Sequence, residues 1–233
     1  MGFTSITANV NSDPTSGTSI AVTLTGVNAG DFVFVPVAIA GTPTISVSDG
    51  TSSLTALGQV LMGDSSDQLQ GFYILASVAS GSVTYTATFS GSVAYRIIEA
   101  WAFRPTGAVT FDAGTAQEVT GTSSGDSGNI TTAGYDVLAL GYSKANDGGS
   151  ASAQAINGLS CTDNGTFLGA AMWWKTFTAP FTGSASFINT GATRILTGIA
   201  AFKILSTGSL SSIVGSSSII RVPGPRRTMI IPG

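Results

Sequence analysis

Strict two-residue alternation is the feature that most limits what this chain can fold into. Val83, Tyr85, Ala87 and Phe89 alternate with Thr84, Thr86 and Thr88, between Gly81-Ser82 and Gly91. Side chains along a strand point alternately to opposite faces, so this pattern writes a strand with one buried and one hydroxyl-rich face. Ile20, Val22 and Leu24 alternate with Ala21, Thr23 and Thr25 in the same way. Phe32 to Ile39 is almost continuously apolar, which suits a central strand. Pro36 lacks a ladder donor and predicts a bulge or an edge there. Ile97, Glu99, Trp101 and Phe103 share one face of a further strand that ends at Pro105-Thr106-Gly107.

The composition agrees with short strands and many turns. Thirty glycines stand among Ser, Thr, Val and Ile, where helices would need more Leu, Glu, Lys and Gln. Charged residues make up 9% of the chain, against roughly 25% in ordinary soluble domains. The 43% of hydrophobic residues recur in regular blocks, so they can offset the entropy of ordering the chain.

The two halves carry matching pieces in the same order. Ala29-Gly30-Asp31 is matched by Ala133-Gly134-Tyr135, and Phe72-Tyr73-Ile74 by Met172-Trp173-Trp174. Gly81-Ser82-Val83-Thr84-Tyr85 is matched by Gly183-Ser184-Ala185-Ser186-Phe187. Arg96-Ile97-Ile98, ending in Phe103-Arg104, is matched by Arg194-Ile195-Leu196, ending in Phe202-Lys203. The expectation is an all-β, internally duplicated, jelly-roll-like two-layer antiparallel sandwich, with repeats over 1–106 and 107–206. Residues 107–128 are expected to join them, and one large sandwich or two domains both fit the pattern.

Residues 207–233 differ. They hold Arg221, Arg226 and Arg227 with no acid, while residues 1–206 carry six basic and twelve acidic side chains, a net of −6. Ile219, Ile220, Val222, Met229, Ile230 and Ile231 are too many apolar residues for a solvated tail, and Pro223, Pro225 and Pro232 forbid a helix or a central strand. An extended arm docking on a neighbouring subunit is the expectation, with Ile219, Ile220, Arg221, Val222, Arg226, Arg227, Met229, Ile230 and Ile231 as its contacts.

Histidine is absent, which excludes Ser-His-Asp and Cys-His catalysis and the usual zinc sites. Gly125-Asp126-Ser127-Gly128 resembles the surroundings of a serine-protease nucleophile, but without a base Ser127 is an ordinary hydroxyl in a turn. The glutamates are Glu99 and Glu118, and the aspartates fall in turn contexts such as Ser48-Asp49-Gly50 and Asp64-Ser65-Ser66-Asp67. A buried Glu99 needs a partner, for which Arg96 and Arg194 are the candidates. No enzyme activity, cofactor or metal is expected. Trp173-Trp174-Lys175 is the aromatic cluster able to meet a glycan or an interface; adjacent strand residues face opposite ways, so one Trp belongs to the core. The acidic body argues against direct nucleic-acid binding, and no run reaches the ~18 apolar residues of a membrane helix. A lone Cys161 and a start without a secretory pattern point to assembly in the cytoplasm.

Ala29-Gly30-Asp31, Ser48-Asp49-Gly50, Phe72 to Leu75, Gly81 to Thr86 and Phe103-Arg104-Pro105, in that order, resemble repeat-containing β-sandwich proteins of tailed bacteriophages and prophages. The resemblance implies a virion component assembled in the host cytoplasm: a head decoration protein, a fibre or spike base, or a tail accessory protein. It implies a homo-oligomer and other virion subunits, of capsid or tail, as partners. The rival expectation is a carbohydrate-binding or adhesive module for attachment to a host surface.

Overall fold

A computed structural model describes residues 2–146, 150–167 and 169–205, and within them the chain is all β, with antiparallel pairing between neighbouring strands. The first half forms β1 (Phe3–Asp13), β2 (Gly17–Val27), β3 (Phe32–Ala40), β4 (Ile45–Ser48), β5 (Thr55–Ala56), β6 (Val60–Leu61), β7 (Asp67–Ile74), β8 (Gly81–Val93) and β9 (Arg96–Pro105). The second forms β10 (Val109–Thr120), β11 (Ser124–Asp126), β12 (Ile130–Thr131), β13 (Val137–Ala145), β14 (Ser150–Ile156) and β15 (Leu159–Ser160). It continues with β16 (Thr162–Phe167), β17 (Ala170–Phe177), β18 (Thr182–Gly183), β19 (Ala185–Thr190) and β20 (Arg194–Ile204).

Each half is a sandwich. A large sheet in the order β1-β9-β3-β7-β5, with β6 also on β7, faces a smaller β2-β8-β4 sheet. In the second half β10-β20-β13-β17-β16 faces β11-β19-β14-β15, and β12 pairs with β18. The two large sheets then pack on each other, so among the described residues the layers number four and the buried clusters between them three. Along β3, Val33, Val35, Val37 and Ile39 fill the first sandwich, while Phe32, Phe34 and Ala38 face the second half. That double burial is why this strand reads as an unbroken apolar run.

The seam between the halves is aromatic. Phe32, Phe34, Trp101 and Phe103 meet Leu138, Leu140, Tyr142, Met172 and Phe202. Phe202 lies 4.5 Å from the Phe32 ring centre and 5.0 Å from that of Tyr73. Large apolar side chains fully removed from water stabilise by roughly 1.5–3 kcal/mol each, so this seam is a core and not a loose domain contact.

The pairings of the two halves run in parallel. Phe103 pairs with Phe32 and Ser5, and Phe202 with Leu138 and Phe111. The edge strands β1 and β10 both shift register just past that point, between Ser5 and Thr7 and between Phe111 and Ala113. The same registers correct two sequence matches: Ile74 pairs with Val33 as Lys175 pairs with Ala139, so Phe72 corresponds to Trp173 and Tyr73 to Trp174, and with Phe103 standing where Phe202 does, Arg96 corresponds to Ile195 and not to Arg194. The match of Phe72 to Met172 is one residue off, and one residue turns every side chain to the wrong face.

Two further expectations are corrected. Residues 107–128 are not a join, because β10 occupies most of them as the edge of the second large sheet; only Thr106 to Ala108 link β9 to it. Pro36 lies in a central strand without a register shift. The β3–β9 ladder pairs Phe34 with Trp101 and Val37 with Ile98 and makes no pairing between them, where Pro36 has no N–H to give. Residues 207–233, the expected arm, lie outside the described residues.

Candidate functional site

Trp173 and Trp174 divide as adjacent strand residues must. Trp173 is fully buried inside the second sandwich, stacked on Phe187 at 5.6 Å and 14°, and its indole N–H donates to the Ala155 carbonyl at 3.2 Å. Trp174 turns to the seam, edge-on to Phe103 at 5.3 Å and to Trp101 at 5.9 Å. Lys175 donates to the Ser160 carbonyl at 2.9 Å. The structure therefore splits this trio among a core, an intramolecular seam and the short strand β15, and does not assemble it as one binding face.

The polar groups singled out in the sequence hold the architecture. Ser127 is fully buried; its hydroxyl donates to the Gly128 carbonyl and accepts from the Ala185 N–H, both at 2.9 Å. Asp126 accepts from the Gly128 N–H at 2.8 Å and the Ser184 hydroxyl at 2.6 Å. Asp49 accepts from the N–H groups of Thr51 and Ser52, closing its turn. Glu99 is buried as expected, but neither arginine reaches it. Arg96 binds Asp13 at 2.5 Å, and Arg194 binds Glu118 at 2.6 Å and Asp64 across the halves. Glu118 also accepts from the Gly63 N–H at 2.9 Å, and Lys144 approaches Asp67 at 4.0 Å, so the rim of the aromatic seam carries ionic ties between the halves.

A groove of about 300 Å³ opens where the β5 and β7 side of the first half meets β10 of the second. Leu57, Tyr73, Phe111, Thr115 and Tyr142 line it, and Tyr73 and Phe111 stack at 6.0 Å and 10°. The lining has aromatic faces, a hydroxyl and backbone groups but no charged side chain, a combination that suits an uncharged ring better than an ion. Little in the amino-acid order points to it. Phe111 is the one aromatic residue in the small, polar stretch 107–128, and its partner Tyr73 comes from the other half.

No protein-family model matches the chain, and neither the curated proteins nor the solved structures searched contain a match to it.

Proposed function

We propose that this protein is a non-enzymatic structural component of a bacteriophage particle, a capsid decoration or head/tail accessory protein that binds neighbouring virion subunits. The observation that carries the reading is the use of its polar groups. Ser127, Asp49, Asp126, Glu118 and Arg194 are engaged in turns and in ties between strands and halves, and the aromatic residues go into a continuous core. A block joined through three stacked cores is suited to bearing load between subunits. The duplicated, jelly-roll-like unit belongs to the same proposal, supported by the matching strand orders and the matching register shifts of β1 and β10.

In this reading residues 207–233 are the assembly arm. Their apolar side chains supply the binding free energy at roughly 25 cal/mol per Å² of apolar surface removed from water, and their arginines meet an acidic neighbouring body. Deleting residues 207–233 tests it. The expected product is a monomer of nearly unchanged melting temperature that no longer enters particles or oligomers. Normal assembly of the truncated chain refutes the arm.

The seam groove favours one second reading, a carbohydrate-binding module for host attachment, because stacked aromatic faces beside hydroxyls can hold a sugar ring. Glycan binding by the free protein that is lost in Phe111→Ala would select it.

A further inference from the structure

Glu99 stands on β9 between Ile97 and Trp101, on the face turned to the second half, and is 2% exposed. Its Oε2 has no hydrogen-bond partner among the described residues. Four features coincide there. The β3–β9 ladder is unpaired at this level, where Pro36 lies alongside. A cavity of about 10 Å³, on the scale of one water molecule, is bounded by Pro36, Ile97, Glu99, Ser143 and Ala170. The position on β20 that corresponds to Glu99 is Gly198, against which the Tyr142 ring packs, so the strand pattern does not itself require a carboxyl. And the facing wall belongs to the other half of the chain.

We propose that Glu99 is a proton-operated latch on the seam: as the neutral acid it lets the two large sheets close, and on losing its proton it opens that end of the seam. An ionised carboxylate buried among mostly apolar side chains, with the Ser143 hydroxyl at the same cavity also lacking a partner among the described residues, is expensive, while the neutral acid is tolerated there. The charges facing it do not relieve this cost. From β16 Asp163 adds like charge; Lys144 of β13 and Asp67 of β7 approach each other; β1 places Val10 opposite; and from β17 a backbone hydrogen bond at Met172 gives a smaller, opposing effect. Burial first, and then the Asp163 charge, push the Glu99 carboxyl up to about 8 from its ordinary 4.5.

The sign follows from proton counting. Between about 4.5 and about 8 the folded chain keeps a proton that the unfolded chain releases, so stability falls as pH rises through that window. Above about 8 both states are ionised and the slope vanishes; the full cost of the buried charge then weighs against closure, and that end of the seam opens. The unfolding constant should therefore rise about tenfold per pH unit inside the window, relative to a variant without the titrating group.

The test compares the full chain with Glu99→Gln, and with Glu99→Leu as a second variant, from about pH 5 to about pH 10. Denaturant unfolding should show the tenfold-per-unit dependence in the wild type relative to both variants. Emission from the seam indoles Trp101 and Trp174 should shift reversibly to the red above about pH 8 in the wild type alone, over a constant background from Trp173. Difference infrared spectra at about pH 7 should contain a protonated-carboxyl band that Glu99→Gln removes. A shared pH profile for wild type and variants, or a wild type with no such band at about pH 7, overturns the latch.

Discussion

Phe202→Ala tests whether the seam is a core. Phe202 is fully buried, and its ring sits 4.5 Å from Phe32, 5.0 Å from Tyr73, 5.6 Å from Phe111 and 6.2 Å from Phe34. These rings come from both halves, so truncation opens a cavity that neither sandwich can close by itself. A buried Phe→Ala change costs about 3–5 kcal/mol, and the loss of several edge-to-face contacts places this one toward the upper end. For a chain of this size each kcal/mol moves the melting temperature by roughly 2–4 °C, so a fall of about 6–20 °C is expected. Phe111→Ala is the control, because Phe111 is 37% exposed and stacks at the rim of the groove; it should cost about 1 kcal/mol. Chemical denaturation of both variants at neutral pH reads the difference. Equal losses would mean that the halves do not depend on the seam, and the four-layer reasoning would fail.

Two more substitutions probe the close approaches and the buried charges. Gly141→Ala would place a Cβ among the Cε2 and Nε1 atoms of Trp173, an indole held by Phe187 and by its bond to Ala155, so overpacking should cost about 1–3 kcal/mol in a thermal melt. Asp67→Ala should cost about 1–3 kcal/mol by removing the carboxylate that faces the buried Lys144 ammonium, which keeps its bond to the Ala145 carbonyl at 2.5 Å, and the double variant Asp67→Leu/Lys144→Met should recover most of it. A double variant no more stable than the single one would show that the pair is not a charge-burial site.

Local pattern determined what each residue could read from its own strand. The Val83–Phe89 alternation set a strand and its buried face, since Val83, Tyr85, Ala87 and Phe89 are all in the first core. The apolar run of 32–39 set a central strand, and adjacency forced Trp173 and Trp174 to opposite faces. Period and face are properties of a few consecutive residues, so they survive without knowledge of the partner. β10 escaped because an edge strand pairs on one side only and tolerates small and polar residues, leaving Phe111 as a single weak signal.

Partners were decided by the tertiary structure. Asp13 finds Arg96 across 83 positions and Arg194 finds Asp64 across 130, whereas Glu99, in the middle of an apolar strand, receives neither arginine. Composition and spacing carry no information about which strands become neighbours at such separations. One residue of slip between Phe72 and Trp173 would exchange core for seam, and only the ladder fixes it. The stacking of two large sheets is likewise invisible in either half. Phe34 and Phe202 each read locally as ordinary core residues, and it took the meeting of two sandwiches to make their faces one interior.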